Sequence, residues 1–106
     1  MVIAAVDIKP FAEKREELRR ALFSLSGPTE AELGCTSCQL YQDLSDPTVL
    51  RVESRWRTED DLARHIRSET YKKLLLLMEL GSEQPKVEFL KVSGLRDLDF
   101  VTELRK

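Results

Sequence analysis

The chain has 106 residues, and its 17 Lys and Arg against 19 Asp and Glu give a net charge of −2. This length fits one domain, which can bury about two thirds of its unfolded surface without metals or disulfides. No basic block occurs, and the longest apolar run, Leu74 to Met78, is far too short to span a bilayer, so we expect neither a nucleic-acid nor a membrane partner.

The first predicted elements are a strand and a helix. Residues 2–8 alternate, with the even-numbered side chains on one face, and they lack the basic region and cleavage site of a signal peptide. They therefore predict a strand of a cytoplasmic protein. Pro10 is placed as a first-turn residue of the helix that follows, and Ser26-Gly27-Pro28 predicts its end. A loop that can hold a short turn then leads to Gly34.

The second and third strands are predicted to form a hairpin. Cys35 to Asp43 alternates as a strand does, and Ser45-Asp46-Pro47 is typical of a turn. Arg51 to Trp56 alternates again, with Ser54 and Trp56 on the same face.

The stretch after the third strand predicts a helix in two parts. Thr58 is a favourable N-cap with acidic residues after it, and Ser68 followed by Glu69 predicts a second cap and hence a kink. His65 lies three residues after Leu62, which places its imidazole beside the buried stripe of the first part. Gly81 predicts the end of the second part.

The order of the elements indicates the fold. Pro85 precedes a last predicted strand, Lys86 to Val92, and the order becomes strand, helix, strand, strand, helix, strand. This is the α+β, ferredoxin-like βαββαβ sandwich, in which a four-stranded antiparallel sheet carries both helices on one face. We expect one domain over residues 1–93 and a C-terminal extension over residues 94–106.

Two features predict a homodimer. Apolar side chains surround the helix at Leu74 to Met78, whereas a helix packed on one sheet needs only about three apolar positions in seven. Some of these leucines therefore need another partner. Asp99 to Leu104 in the extension is predicted to be strand-like, and such a strand could pair with the sheet edge of a second subunit.

Cys35 and Cys38 have the C-x-x-C spacing of some metal and redox sites. A structural zinc site needs four ligands, but the chain has a single His and no second cysteine pair. A redox pair needs its first Cys at a helix N-terminus, whereas this pair enters a strand, where residues three apart point to opposite faces. We predict that both are packing residues and that the chain has no metal site.

In their order and spacing, these features resemble the antibiotic biosynthesis monooxygenase (ABM) family, which includes quinol monooxygenase-like proteins of the dimeric α+β barrel superfamily. The resemblance covers roughly residues 1–93 and rests on Gly34-Cys35, Asp46-Pro47, Trp56, Leu62-x-x-His65 with Ser68, the Leu74 to Leu80 stretch before Pro85, and Phe89. It implies paired subunits, each with a pocket between sheet and helices. It also implies oxygenation of small aromatic, quinol-like molecules by molecular oxygen with no cofactor.

The resemblance can be carried over residue by residue. Haem-degrading members use an Asn, a Trp and an axial His where this chain has Asp7, His65 and Leu75, so the resemblance does not imply haem degradation. Oxygenase members commonly carry a Glu two residues before the strand-end Trp, where this chain has Ser54.

The candidate site follows from the chemistry that oxygenation without a cofactor requires, namely a dry pocket and a base. His65 is the candidate catalytic base or hydrogen-bond partner, because imidazole exchanges protons near neutral pH. Trp56 and Tyr71 would form walls for the aromatic substrate, and Tyr71 or Ser54 would orient its oxygen. Asp7 is the remaining candidate for substrate binding.

Structural explanations compete with each of these roles. His65 can be a hydrogen-bonded residue beside the core, and Trp56 can be a packing residue. On that interpretation the chain is a non-catalytic dimeric module that binds a small ligand or serves in regulation.

Overall fold

A four-stranded antiparallel sheet forms the base of the fold. The computed structural model describes all residues, Met1–Lys106. The strands are β1 (Val2–Ile8), β2 (Cys35–Gln42), β3 (Leu50–Trp56) and β4 (Lys86–Lys91), in the spatial order β2-β3-β1-β4. The helices are α1 (Arg15–Glu30), α2 (Glu59–Ile66), α3 (Glu69–Met78) and α4 (Leu98–Leu104), and a short 3₁₀ turn, Ala12–Lys14, precedes α1. This order confirms the predicted α+β, ferredoxin-like fold.

The alternation of β1 decides which face of the sheet is covered. Its even-numbered side chains are buried, as predicted, and they join residues of the helices in two core clusters. The larger cluster lies under α1 and α3 around Ile8, Leu18 and Leu50. The smaller one surrounds Trp56 and Leu62. The opposite face carries Asp7 and, on the neighbouring strand, a ladder of charged side chains.

Both predicted helix caps are confirmed. The Thr58 hydroxyl accepts a hydrogen bond from the N–H of Asp61 at 3.1 Å, and the Ser68 hydroxyl accepts one from the N–H of Tyr71 at 3.2 Å. Each cap satisfies one of the backbone donors that a helix start leaves free. Because the second cap interrupts the helical hydrogen bonds, α2 and α3 are separate helices that meet at Ser68.

The predicted boundaries of the first helix were wrong. Pro10 does not lie in the first turn but in an isolated bridge to Gly81, and α1 begins only at Arg15. At the other end, α1 continues through Gly27 and Pro28 to Glu30. Proline removes one helical hydrogen bond, yet the following turn is held by burial of Thr29 and by the Ala31 N–H, which donates to the Gly27 carbonyl at 3.0 Å.

The C-terminal extension is helical, so the prediction of a strand at Asp99 to Leu104 was wrong. Asp97 caps α4, because its carboxylate accepts a hydrogen bond from the N–H of Asp99 at 3.1 Å. The apolar residues Leu98, Val101 and Leu104 recur every third position, a spacing that fits a helix better than a strand. None of the residues of α4 is buried.

Apolar surface remains uncovered on the sheet edge and on α3. Leu75 and Leu76 are 50% and 56% exposed, and Phe89 and Leu90 on β4 are both 46% exposed. The prediction that the leucine run has more apolar surface than its own sheet can cover therefore holds for α3. No helix in the structure combines the length and the hydrophobicity that crossing a membrane requires.

Candidate functional site

A pocket lies between the covered face of the sheet and helices α1 and α3. Most of its wall is apolar, and its polar groups come from β3, α2 and the ends of α1 and α3. The lining residues are Ala4, Val6, Leu22, Leu25, Ser26, Thr29, Cys38, Val52, Ser54, His65, Thr70, Tyr71 and Leu74. Three of the five predicted site residues, Ser54, His65 and Tyr71, therefore meet at one pocket.

Trp56 stands behind this wall. It is fully buried (0% exposed), and it does not line the pocket. Its indole stacks on the His65 ring with centroids 4.5 Å apart, and its Nε1–H donates a hydrogen bond to the Ser54 Oγ at 2.9 Å. The expectation that Trp56 forms a substrate wall is thus replaced by a supporting role, in which one indole fixes the positions of two pocket residues.

His65 is held on three sides. The side chain is only 4% exposed, its ring packs on Trp56, and the Tyr71 ring meets it edge-on at 5.2 Å. Its Nδ1 lies 2.8 Å from the Glu32 Oε2. No group of the protein bonds to Nε2, and since no fully buried side-chain nitrogen lacks a partner, Nε2 reaches accessible space. The ring lines the pocket, and Nε2 is the ring nitrogen that is left for a ligand there.

Tyr71 contributes a neutral phenol. Burial raises the pKa of its hydroxyl above the ordinary value of 10.0, because desolvation disfavours the phenolate. Near neutral pH the group is therefore a hydrogen-bond donor or acceptor and cannot serve as a base.

The pocket is narrow. The space that it encloses is only about 20 Å³, which is room for about one water molecule. Counted out to its open mouth, the hollow measures about 480 Å³. The enclosed space is the one to compare with a ligand, because an apolar cavity that binds benzene measures about 150 Å³. An aromatic ring can therefore enter only when side chains at the mouth move apart.

Asp7 is not part of this pocket. It lies on the uncovered face of the sheet, where its carboxylate pairs with the Arg51 guanidinium at 3.2 Å. It lines a separate, polar groove together with Tyr41 and Glu53. The alternation of β1 already predicts that Asp7 lies on this face. The resemblance, which aligns Asp7 with an Asn that haem-degrading members use, was the weaker guide to its position.

The two cysteines do not point to opposite faces, so that prediction was wrong. A bulge between Cys35 and Ser37 shifts the register of β2, and as a result Cys35 pairs with Trp56 and Cys38 with Ser54, both on the covered face. Neither forms a disulfide. Burial raises the pKa of the Cys38 thiol to about 11, which leaves it protonated and poorly nucleophilic. No three side chains of metal-binding type lie together anywhere in the chain.

Glu32 is the site residue that the sequence does not reveal. It lies in the turn between α1 and β2, 33 positions before His65, and no periodicity links the two. The one local signal is Gly34, which adopts a positive φ of 85° and predicts a tight turn at this point.

Known proteins of the same shape are numerous. The Mycobacterium tuberculosis protein Rv0793 is 28% identical, with a TM-score of 0.79 over 92% of this chain and 97% of that one. A conserved Methanosarcina mazei protein is 29% identical, with a TM-score of 0.78 over 86% and 92%. A Deinococcus radiodurans protein assigned to the antibiotic biosynthesis monooxygenases shares the fold at 21% identity, with a TM-score of 0.83 over 92% and 98%.

Comparison of the sequence itself gives the family. No curated protein matches this chain. The family model described as antibiotic biosynthesis monooxygenase matches residues 1–75, which include β1, β2, β3, α2 and most of α3. The matched segment contains every residue that lines the pocket. The chain therefore belongs to the antibiotic biosynthesis monooxygenase family.

Proposed function

We propose that the protein is a monooxygenase that uses molecular oxygen, without a cofactor, on a small aromatic molecule bearing a phenolic or enolic hydroxyl. The observation that carries the proposal is the placement of His65 in an apolar wall, with Nδ1 engaged by Glu32 and Nε2 free of protein partners. A base in a dry pocket is what such a reaction asks of a protein, because the substrate itself supplies the electrons.

The chemistry can be written for a substrate of the anthrone type. Nε2 of His65 takes the proton of the enol hydroxyl, and the resulting enolate transfers electrons to oxygen and forms a carbon–oxygen bond. The imidazolium returns its proton to the outer oxygen of the peroxide. Loss of water, which carries away the remaining hydrogen of that carbon, then leaves a ketone. One oxygen atom enters the product and the other leaves as water.

Ser54 and Tyr71 would orient the substrate oxygen in this scheme. The Ser54 hydroxyl accepts from Trp56, which leaves its own proton available to a ligand. Entry of an aromatic ring requires the pocket to open, since the enclosed space holds only about one water.

Oxygen uptake with a panel of anthrones and quinols tests the proposal. We expect turnover by the wild type and a loss of at least about 100-fold in His65→Gln, the range that one general base contributes. Tyr71→Phe should lower turnover, while Tyr41→Phe, which removes the same hydroxyl from the uncovered face, serves as its matched control. Circular dichroism must show that each variant is folded. Unchanged turnover in His65→Gln would remove His65 from the mechanism.

The narrowness of the pocket favours a second candidate, a non-catalytic dimeric module that binds a small ligand or serves in regulation. This second candidate predicts that the protein binds aromatic molecules but consumes no more oxygen than buffer alone does. Failure to bind any of them would leave only a dimerising domain.

We also propose that the protein forms a homodimer. Members of this family are generally dimeric, and the exposed side chains of Leu75, Leu76, Phe89 and Leu90 offer apolar surface for a partner subunit. The unburied helix α4 would contribute to the same contact. Light scattering at micromolar concentration should give twice the chain mass. A value near 12.2 kDa would contradict the dimer.

A further inference from the structure

We propose that Glu32 is a positioning residue that makes His65 a hydrogen-bond acceptor toward the pocket, so that the pocket selects aromatic ligands with a free hydroxyl over their O-methylated forms. This inference rests on the proposed function for the identity of the pocket, but its tests do not depend on turnover.

The contact between Glu32 and His65 determines which ring nitrogen carries the proton. The Glu32 Oε2 lies 2.8 Å from Nδ1, and a carboxylate oxygen accepts hydrogen bonds but does not donate them. Nδ1 must therefore carry a hydrogen. In the neutral imidazole, Nε2 is then left with a lone pair and can only accept.

The turn that carries Glu32 is fixed on both sides. The Glu32 N–H donates to the Thr29 carbonyl at 3.1 Å, and the Glu32 carbonyl accepts from the Cys35 N–H at 3.1 Å. The Gly34 carbonyl accepts from the Arg57 N–H at 2.9 Å, which ties the turn to the start of the segment that leads into α2. The backbone of Glu32 is thus held by hydrogen bonds on both sides of the residue, which places its carboxylate within reach of Nδ1.

The ring cannot turn over without losing its hydrogen bond to Glu32. Trp56 covers one face of the imidazole and Tyr71 meets it edge-on. A half-turn about the Cβ–Cγ bond exchanges Nδ1 with Cδ2, so a flip would leave the Glu32 Oε2 facing a carbon and would lose the hydrogen bond to Nδ1. Glu32 and Trp56, neither of which lines the pocket, together set the orientation of the one basic group that does.

The consequence concerns the ligand. An acceptor in an apolar wall binds a hydroxyl that donates, and it leaves an ether oxygen without a partner. One such hydrogen bond corresponds to a preference of about tenfold. The pocket should therefore bind naphthol about tenfold more tightly than the methyl ether of naphthol.

The chain contains a single histidine, so nitrogen-15 NMR of the imidazole reports this site alone. In the neutral imidazole, we expect the wild type to show a proton on Nδ1 and none on Nε2. Glu32→Ala should shift the population toward the Nε2–H form. Glu32→Gln should retain the wild-type tautomer, because the amide oxygen can still accept from Nδ1. Glu30→Ala, an exposed glutamate two residues earlier, is the matched control and should change nothing.

The outcomes separate cleanly. A proton on Nε2 of the wild type would overturn the inference, even if Glu32→Ala failed to fold. Equal binding of naphthol and its ether, or of neither, would also overturn it, as would an unchanged tautomer in folded Glu32→Ala. If the Nδ1–H tautomer and the naphthol preference are found but no oxygen is consumed, the inference stands and the proposed monooxygenase activity alone fails.

Discussion

The hydrogen bond from the Trp56 indole to Ser54 gives a quantitative test of how the pocket wall is supported. Both residues are buried, at 0% and 5% exposure, and the Nε1 to Oγ distance is 2.9 Å. Ser54→Ala removes the acceptor and leaves the indole N–H unpaired in the interior. An unsatisfied buried donor costs about 1–3 kcal/mol, so the free energy of unfolding should fall by that amount.

Urea denaturation followed by far-UV circular dichroism measures this loss at one fixed protein concentration. With a denaturant slope of about 1–2 kcal/mol per molar for a chain of this size, the midpoint should fall by about 0.5–3 M. Ser37→Ala is the matched control on the neighbouring strand. The Ser37 hydroxyl makes no hydrogen bond, so the Ser37→Ala substitution should change the free energy of unfolding by no more than about 0.5 kcal/mol.

A double-mutant cycle separates this hydrogen bond from the loss of side-chain volume. In the Trp56→Phe background no N–H is left unpaired, and Ser54→Ala should there cost at least about 1 kcal/mol less than in the wild type. An equal cost in both backgrounds would refute the reasoning. The indole would then be a packing residue with no influence on Ser54.

Three further predictions concern the turn before β2, the first helix and the buried thiol. Gly34→Ala should lower the free energy of unfolding by about 2 kcal/mol or more in urea titrations, since φ is 85° and a Cβ would lie 2.2 Å from the Asp61 side chain; a neutral effect would contradict this turn. Gly27→Ala should change the free energy of unfolding by less than about 1 kcal/mol, because the helix propensity of Ala is offset by contact of its Cβ with the ring of Pro28, and beyond its chain neighbours a Cβ there meets nothing within 4 Å; a stabilisation of more than about 1 kcal/mol would contradict this balance. The raised pKa of the Cys38 thiol means that the unfolded chain loses this proton first, so stability should decline from about pH 9.0 to about 11. Unfolding curves across that range should show a smaller decline for Cys38→Ala, and identical declines would show that burial does not affect this thiol.

Much of the fold could be predicted because its signals are local. The alternation of β1 and β3 identifies the covered face, and the caps at Thr58 and Ser68 locate the break between α2 and α3. Each of these depends on residues within one turn or one strand. The order of elements then leaves the ferredoxin-like arrangement as the natural one.

The errors occur where tertiary contacts override a local signal. Gly27 and Pro28 are unfavourable inside a helix, yet α1 continues because the next turn buries Thr29. The bulge that turns Cys35 to the face of Cys38 is a single extra residue in one strand, which alternation alone does not disclose. In the tail, the apolar residues recur at a spacing that fits a helix better than a strand, and Asp97 caps that helix.

The candidate site divides in the same way. Ser54, His65 and Tyr71 meet at the pocket because strand and helix periodicity places them on inward faces, which the sequence does show. Glu32 contacts His65 across 33 positions, and that pairing follows only from how the turn before β2 packs against α2.

The most direct test of the account is a crystal structure of the protein with naphthol bound. We predict the aromatic ring between the sheet and helices α1 and α3, with its hydroxyl oxygen within about 3.2 Å of the His65 Nε2 and the Glu32 contact to Nδ1 intact. Naphthol found only on the uncovered face near Asp7, or in the pocket with its hydroxyl turned away from His65, would contradict the claim that His65 acts as the proton acceptor.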